Sequence, residues 1–202
     1  MANQTEITIL QIARKHFVQN GFAGARMQEI ADEAGINKAM LHYYFRSKEK
    51  LYHAIVIETL GQIIPKLAAA LKQEGSLWER IERVVNTYID TLVDNPDIPF
   101  FIMSELSQKR ERFVLELKQR AQYFPAIKGL LMQITQEIQA GNIKPIPPLH
   151  LILNIMGMTI FPFMAKPVFC TILDFPEQDF GELMEERKVV IVEFLKSALR
   201  VD

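Results

Sequence analysis

The fold of this chain is decided by residues 27–51, MQEIADEAGINKAMLHYYFRSKEKL. Apolar residues recur at helical spacing on both sides of the short segment 35–37. Gly35 can adopt the left-handed backbone conformation that ends a helix, and Asn37 can accept a hydrogen bond from an unpaired amide at the start of the next helix. The pattern therefore predicts two short helices joined by a tight turn, a helix-turn-helix.

Four elements of this stretch resemble the DNA-binding motif of the TetR family of transcriptional regulators. The matching elements are Ile30-Ala31, Ala34-Gly35-Ile36, Leu41-His42-Tyr43-Tyr44-Phe45 and Ser47-Lys48-Glu49-Lys50-Leu51. With Phe17 and Gly21-Phe22 before them, the resemblance covers roughly the first fifty residues. It implies an all-helical homodimer that binds double-stranded DNA, senses a small molecule in its C-terminal helices and, like most of the family, represses transcription.

Three positions depart from the family pattern. Arg26 stands where Thr or Ser is usual, and its guanidinium could reach a backbone phosphate. Asn37 replaces Ser and can still cap the following helix. His42 replaces Tyr, so an imidazole with one donor and one acceptor stands in place of a phenol. This last departure is expected to change the base preference.

The faces of the second helix predict which residues meet the bases. If Leu41 and Phe45 point into the core, then Lys38, Ala39 and His42 point away from it. Lys38 could donate to guanine, and Ala39 could pack against a thymine methyl group. We therefore expect these three residues to approach base edges in the major groove.

Residues at the flank of the helix are expected to contact phosphates. Tyr43, Tyr44 and Lys48 carry hydroxyl and ammonium donors, which set the register on the duplex without reading the sequence. Lys48 falls in the first turn of a helix, where a cation opposes the helix dipole unless an anion is shared there. The alternative, in which the two tyrosines are packing residues, stays open.

Helical spacing of apolar residues continues almost throughout, and no run alternates as a half-buried strand would. We expect an all-α fold of about nine helices, with the seventh bent or broken at Pro125 and the fourth kinked at Pro65. The predicted helices are 4–20, 27–34, 38–45, 48–71, 76–94, 97–107, 109–140, 148–165 and 182–200.

The chain is expected to form two domains, a DNA-binding domain at 1–47 and a ligand-sensing and dimerisation domain at 48–202. Residues 1–52 hold seven Lys and Arg against five Asp and Glu, and the remainder holds sixteen against nineteen. The weak positive excess at the N-terminal end permits DNA binding but does not identify it, because binding depends on where the charges lie on the surface.

The segment 97–170 is rich in Phe and Met, whose side chains can line an adaptable apolar pocket. Gly157 and Pro162 weaken a regular helix there and are expected to open space beside it. We expect this pocket to bind an apolar or amphipathic effector, although the same residues could simply form the core. The predicted pocket residues are Phe100, Phe101, Met103, Met132, Met156, Phe161 and Met164.

The last two predicted helices are expected to form the dimer surface. An apolar stripe on the final helix would need a partner, and two helices from each subunit would make a four-helix bundle. The alternative is that the stripe packs only within the subunit. The stripe residues are Leu183, Val190, Ile191, Phe194, Leu195 and Ala198.

The sequence contains little evidence of an enzyme, because it lacks a Gly-rich phosphate loop, an H-E-x-x-H motif and a serine nucleophile elbow. Its four histidines never fall four residues apart, so no helical metal pair forms. We expect no catalytic residue, metal or cofactor. Two alternatives remain, a thiol enzyme using Cys170 with His150 and a helical adaptor that does not bind DNA.

A cytoplasmic protein without a membrane partner is expected. The single cysteine, Cys170, excludes an intramolecular disulfide, and the first residues do not resemble a secretory leader. The most apolar run, 149–165, falls short of the roughly 20 residues that a membrane span needs and contains His150, Asn154 and Pro162. It is therefore predicted to be a buried helix.

Overall fold

The computed structural model describes residues 4–201 and is helical throughout, with no strand in that part of the chain. The predicted all-α fold is confirmed. Two short 3-10 helices, Ala121–Tyr123 and Glu177–Asp179, precede the eighth and tenth α-helices. The α-helices are α1 (Gln4–Gly24), α2 (Met27–Glu33), α3 (Lys38–Phe45), α4 (Lys48–Lys72), α5 (Leu77–Asp94), α6 (Ile98–Gln108), α7 (Arg110–Lys118), α8 (Phe124–Gln139), α9 (Pro148–Ile172) and α10 (Phe180–Leu199).

The helix predicted at 109–140 is broken in two, as expected near Pro125. Helix α7 ends at Lys118, and α8 begins at Phe124 with Pro125 in its first turn. A proline is well placed there because the first amides of a helix have no partner within the helix. The helix predicted at 48–71 runs without interruption through Pro65, and α1 is kinked at Gly21, whose φ is 65°.

Helix α9 is longer than the sequence predicted. It continues past residue 165 to Ile172 and contains both Pro162 and Pro167. An interior proline removes one backbone hydrogen bond without necessarily ending a helix, and Pro162 is buried, so packing offsets part of that loss. The prediction that this apolar segment is too short to span a membrane was therefore wrong, since α9 has 25 residues.

By length and composition alone, α4 and α9 could each cross a membrane. Of the most apolar 18 residues in each helix, 44% in α4 and 28% in α9 are buried inside the protein. Buried core helices of soluble proteins have the same length and composition, so this observation is weak evidence for a span. It does show that much of the apolar surface of α9 is uncovered in the single chain.

The chain divides into two compact units. The first contains the chain up to Gly61 together with Phe100–Gln108, and the second contains Gln62–Pro99 and the chain from Lys109 onward. Helices α4 and α6 therefore each contribute to both units. In the first unit, the ring of Tyr52 lies edge-on to Phe17 and Phe22 at 5.0 and 5.3 Å.

Helix α5 organises the second unit by packing against α8, α9 and α10. Its buried residues Leu77, Ile81, Val85 and Ile89 recur every four positions, which gives one continuous apolar face. The helix begins with a capping box, in which Ser76 Oγ accepts from the amide of Glu79 and the Glu79 carboxylate accepts from the amide of Ser76. These hydrogen bonds to Ser76 lower the pKa of Glu79 below its ordinary value.

Candidate functional site

The helix-turn-helix is built as the sequence predicts. Gly35 has a φ of 67°, and the amide of Ile36 bonds back to the carbonyl of Ala31 at 3.0 Å. This left-handed glycine ends α2 and lets the chain turn into α3. Asn37 Oδ1 accepts from the amide of Met40 at 2.8 Å and so caps α3. The turn is thus closed by local hydrogen bonds.

Helix α3 has one buried face and one exposed face. Leu41 and Phe45 lie in the core, whereas Lys38, Ala39 and His42 are exposed to solvent. This orientation is the one expected from helical spacing. The three residues predicted to meet base edges therefore share a surface that a duplex can approach.

His42 has a defined tautomer in this geometry. Its Nδ1 lies 3.0 Å from the carbonyl oxygen of Arg46, so Nδ1 must carry the proton and donate. The neutral ring then has Nε2 as an acceptor. In its neutral form His42 therefore offers a hydrogen-bond acceptor on the exposed face.

The two tyrosines differ in exposure. Tyr43 is 82% exposed, while Tyr44 is half-buried with its ring edge-on to Tyr43 at 5.7 Å and 6.3 Å from the ring of Phe45. Such an exposed ring contributes little to the core. Packing explains part of the position of Tyr44 but leaves Tyr43 without a structural role inside the protein.

Lys48 makes an internal contact that the sequence did not reveal. Its Nζ donates to the carbonyl of Ala23 at 3.0 Å and lies 4.9 Å from the centre of the Phe22 ring. Ala23 is in the last turn of α1, which has no basic residue of its own, so the ammonium stabilises the negative end of that helix. One contact uses one of three ammonium protons, and the others can serve a second acceptor.

Arg26 precedes α2 and lies largely in solvent, with 77% of its side chain exposed. It makes no side-chain hydrogen bond to the amides at the start of α2, and its guanidinium lies 3.5 Å from the Glu29 carboxylate. The departure from Thr or Ser therefore removes the cap of α2. It leaves an exposed cation at the N-terminus of this helix.

The second unit contains an apolar cavity of about 290 Å³. Its walls come from the second half of α4, from α5, from α7 and α8 with the short helix between them, and from α9. All but two of the lining side chains are aliphatic, Phe or Met, and the exceptions are tyrosines. The lining residues are Ile64, Leu67, Ala68, Leu71, Val84, Tyr88, Leu117, Tyr123, Phe124, Ile127, Leu130, Ile152, Ile155 and Met156.

The cavity is lined largely by residues other than those the sequence predicted. Met156 is in its wall, but Met132, Phe161 and Met164 are exposed. Phe101 belongs to the first unit, where it is fully buried with its ring 5.5 Å from Tyr52. The other predicted residues, also in the first unit, are Phe100 and Met103, and both are exposed.

Tyr88 was not predicted as a site residue, although its position gave a signal. Tyr88 lies four residues after Val84, so its hydroxyl falls among the apolar residues that recur at helical spacing in α5. Burial raises the pKa of Tyr88 to about 12, so the hydroxyl is protonated at neutral pH. A polar group within an otherwise apolar helical stripe indicates either a buried hydrogen bond or a ligand contact.

The predicted stripe on α10 is divided between two faces. Ile191 and Leu195 are buried within the second unit, at 1% and 2% exposure. By contrast, Val190 and Phe194 are 56% and 62% exposed, and Leu183 and Ala198 are exposed beside them. Neighbouring residues on a helix point about 100° apart, so one residue of each adjacent pair faces the core and the other faces solvent.

Helix α9 continues this exposed apolar surface. The Arg187 Nε donates to the carbonyl of Met158 at 2.9 Å and joins α10 to α9, and burial lowers the pKa of Arg187. The exposed apolar residues of α9 are Leu149, Leu153, Met156, Phe161, Met164, Val168 and Ile172. We refer to these residues, with Leu183, Val190, Phe194 and Ala198, as the α9–α10 face.

Comparison with known proteins relates the helix-turn-helix to one family. Residues 9–55 match the family model for bacterial regulatory proteins of the tetR family. The chain is 28% identical over 193 residues to the HTH-type transcriptional regulator RutR of Escherichia coli K12, covering 93% of this chain and 89% of that protein. It is 26% identical over 141 residues to the fatty acid metabolism regulator protein of Bacillus subtilis, covering 67% and 69% of the two chains.

A solved structure extends the similarity of fold beyond this motif. AibR in complex with isovaleryl coenzyme A and operator DNA superposes with a TM-score of 0.62 at 20% sequence identity, covering 80% of this chain and 86% of that one. At this identity the similarity establishes the fold alone. By name, RutR is a transcriptional regulator and the Bacillus subtilis relative is a regulator of fatty acid metabolism.

Proposed function

Because this chain carries the DNA-binding domain of the tetR family of bacterial regulatory proteins in residues 9–55, we propose that it is a transcriptional repressor. It binds palindromic operator DNA as a homodimer in the cytoplasm and releases it when an apolar or amphipathic effector binds. The observation that carries this proposal is the capped helix-turn-helix with an exposed second helix. Residues 1–47 serve as the DNA-binding domain and 48–202 as the sensing and dimerisation domain, without a catalytic role.

In this proposal α3 is the recognition helix. Lys38 donates to guanine, and Ala39 packs against a thymine methyl group. His42 accepts through Nε2, which suits the exocyclic amino group of adenine or cytosine, because Nδ1 is already bonded to Arg46. These contacts read the sequence of each half-site.

The phosphate contacts come from the ends of the neighbouring helices. Tyr43 and Tyr44 supply hydroxyl donors, and Lys48 supplies the ammonium protons that Ala23 leaves unused. Arg26 reaches a phosphate from the start of α2, where backbone amides also favour an anion. The Asn37 side-chain oxygen is used by its cap, so its amide nitrogen is what it offers to DNA.

Lys48→Ala is expected to weaken binding to all duplex sequences about equally. A phosphate contact carries no base information, and its loss should reduce the slope of log affinity against log salt by about one for each subunit. Binding isotherms at several salt concentrations, on specific and random duplexes, measure both effects. Thermal unfolding should be recorded as well, since the Ala23 contact is lost too.

A changed base preference in Lys48→Ala, with the salt slope unaltered, would contradict the assignment. The control is Lys128→Ala, which removes an exposed cation from α8 in the second unit. This variant should leave both the affinity and the salt slope unchanged.

The homodimer is supported by the α9–α10 face. Exposed apolar side chains on two adjacent helices are typical of a four-helix dimer interface, where each chain contributes two helices. A symmetric dimer presents two recognition helices, and such proteins bind half-sites about 34 Å, or one DNA turn, apart. This geometry requires a palindromic operator.

The effector is proposed to act through α4. This helix lines the cavity with Ile64, Leu67 and Leu71 and begins at Lys48, immediately after the recognition helix and its connection. A ligand that prefers a different position of α4 would alter the spacing of the two recognition helices. The AibR structure, which contains both isovaleryl coenzyme A and operator DNA, supports the binding of a small ligand and of DNA by the same fold.

Binding of effector and operator is expected to be reciprocal. A coupling of about 1–3 kcal/mol corresponds to a roughly five- to 150-fold loss of DNA affinity on saturation with effector, and operator must weaken effector binding by the same factor. Calorimetric titration of an effector found by thermal-shift screening, with and without saturating operator, measures this factor. Equal effector affinity in both titrations would refute the sensor function.

A further inference from the structure

The lining of the cavity in the second unit is apolar almost throughout. None of its lining residues is Lys, Arg, His, Asp or Glu. The polar side-chain atoms in the lining are the hydroxyls of Tyr88 and Tyr123. Any polar group of a ligand must therefore be matched by one of these two hydroxyls, by a backbone group or by water.

Tyr88 is the better placed of the two. It lies in the middle of α5, which packs against α8, α9 and α10, and its half-buried side chain lines the cavity. Within residues 4–201 its hydroxyl has no hydrogen-bond partner. The residue is half-buried among apolar groups, so its hydroxyl can exchange a bond to water for a bond to a ligand acceptor. The protonated hydroxyl can donate that bond.

The apolar lining also disfavours a charged ligand. A carboxylate placed beside Tyr88 would lose its hydration and meet no cation. A ketone, ester or thioester oxygen accepts one hydrogen bond and carries no net charge, so it is desolvated at much lower cost. The site thus favours a carbonyl over a carboxylate.

The volume limits the ligand as well. A water molecule occupies about 30 Å³ in the liquid, and a methylene group is of similar size, so the cavity of about 290 Å³ has room for roughly ten such groups. The walls offer aliphatic contacts on several sides. An alkyl chain of medium length fits this space.

We propose that the cavity binds the uncharged carbonyl end of a medium-length alkyl or acyl chain, with the Tyr88 hydroxyl donating to the carbonyl oxygen. Tyr88 is then the residue that determines specificity for a neutral acceptor over a carboxylate. The ligand class is argued from the cavity alone, and only its role as the effector rests on the proposed function.

Tyr88→Phe tests the proposal because it removes the hydroxyl and keeps the ring. The probes are methyl n-heptyl ketone, butylbenzene, which matches the ketone in number of non-hydrogen atoms but has no acceptor, and nonanoate. Affinities are measured by calorimetry on the full-length protein without DNA, and thermal unfolding checks that each variant folds. Tyr52→Phe is the matched control, since it makes the same change in the first unit, outside the cavity.

We expect Tyr88→Phe to lower the ketone affinity about two- to twelve-fold, the range of one neutral hydrogen bond, and to leave butylbenzene binding unchanged or stronger. Tyr52→Phe should change neither. At neutral pH nonanoate should bind the unsubstituted protein more weakly than the ketone does. Unchanged ketone affinity in Tyr88→Phe, tighter binding of nonanoate than of the ketone, or no binding of any probe would overturn the inference.

Failure of this inference can be distinguished from failure of the proposed function. Operator release is measured separately, by titrating each probe into the protein bound to DNA. Tyr88-dependent ketone binding without release would support the ligand class and refute its role as effector. Release by another ligand, with no ketone binding, would support the regulator and refute the ligand class.

Discussion

Lys38→Ala is expected to weaken operator binding by about thirty-fold to twenty-thousand-fold. A specific base contact contributes about 1–3 kcal/mol, and a symmetric dimer loses it in both half-sites. Lys38 is the first residue of α3 and is exposed, and within residues 4–201 its side chain makes no ion pair or hydrogen bond. Its removal should therefore leave the stability of the fold unchanged while affecting DNA binding.

The loss should depend on sequence, which separates Lys38 from the phosphate contacts. Selection of duplexes from a random pool by the Lys38→Ala variant should show relaxed preference at one position of each half-site. Lys128→Ala, in the second unit, should select the same duplexes as the unsubstituted protein. If Lys38→Ala instead lowered affinity equally for all sequences, Lys38 would be a phosphate contact and the assignment of faces would be wrong.

Val190→Glu is expected to convert the homodimer into a monomer at micromolar concentration and to reduce operator affinity by at least about a hundred-fold. In the proposed interface two symmetry-related carboxylates would be buried without partners, at a cost of several kcal/mol for each ion. The monomer itself should remain folded, because Val190 is 56% exposed in the single chain. Sedimentation equilibrium and operator titration measure the two effects.

Val189→Glu is a closely matched control. The substitution is the same, and Val189 is 65% exposed, but the neighbouring position points about 100° away around α10. It lines a polar groove with Glu82 and Asn86 of α5 and with Lys188, outside the α9–α10 face. The variant should remain dimeric. Dissociation by Val189→Glu, with Val190→Glu still dimeric, would place the interface on the other side of the helix.

The helix-turn-helix could be predicted almost to the residue because its determinants are local. The end of α2 depends on the left-handed Gly35, and the start of α3 depends on the Asn37 cap, three residues before its partner. Each interaction lies within a few residues along the chain. The bounds of α3 agree with the prediction for the same reason.

The bounds of α9 and the lining of the cavity could not be predicted in this way. The helix was predicted to end at residue 165, but α9 continues through Pro162 and Pro167 to Ile172. Abundant Phe and Met predicted the cavity walls in 97–170, and eight of the fourteen lining residues lie there, but the other six come from α4 and α5. Amino-acid composition predicts how much apolar surface the helices carry, but it does not predict which helix faces pack against each other.

For this protein the sequence by itself determined the all-α class, the turn at 35–37 and the exposed face of α3, because helical periodicity and capping act over one or two turns. Only the tertiary structure decided that Lys48 bonds to Ala23, that Tyr88 lines a cavity and that Val190 is exposed while Ile191 is buried. Those outcomes depend on partners distant along the chain. They also depend on a rotation of about 100° between neighbouring residues, which no local pattern specifies.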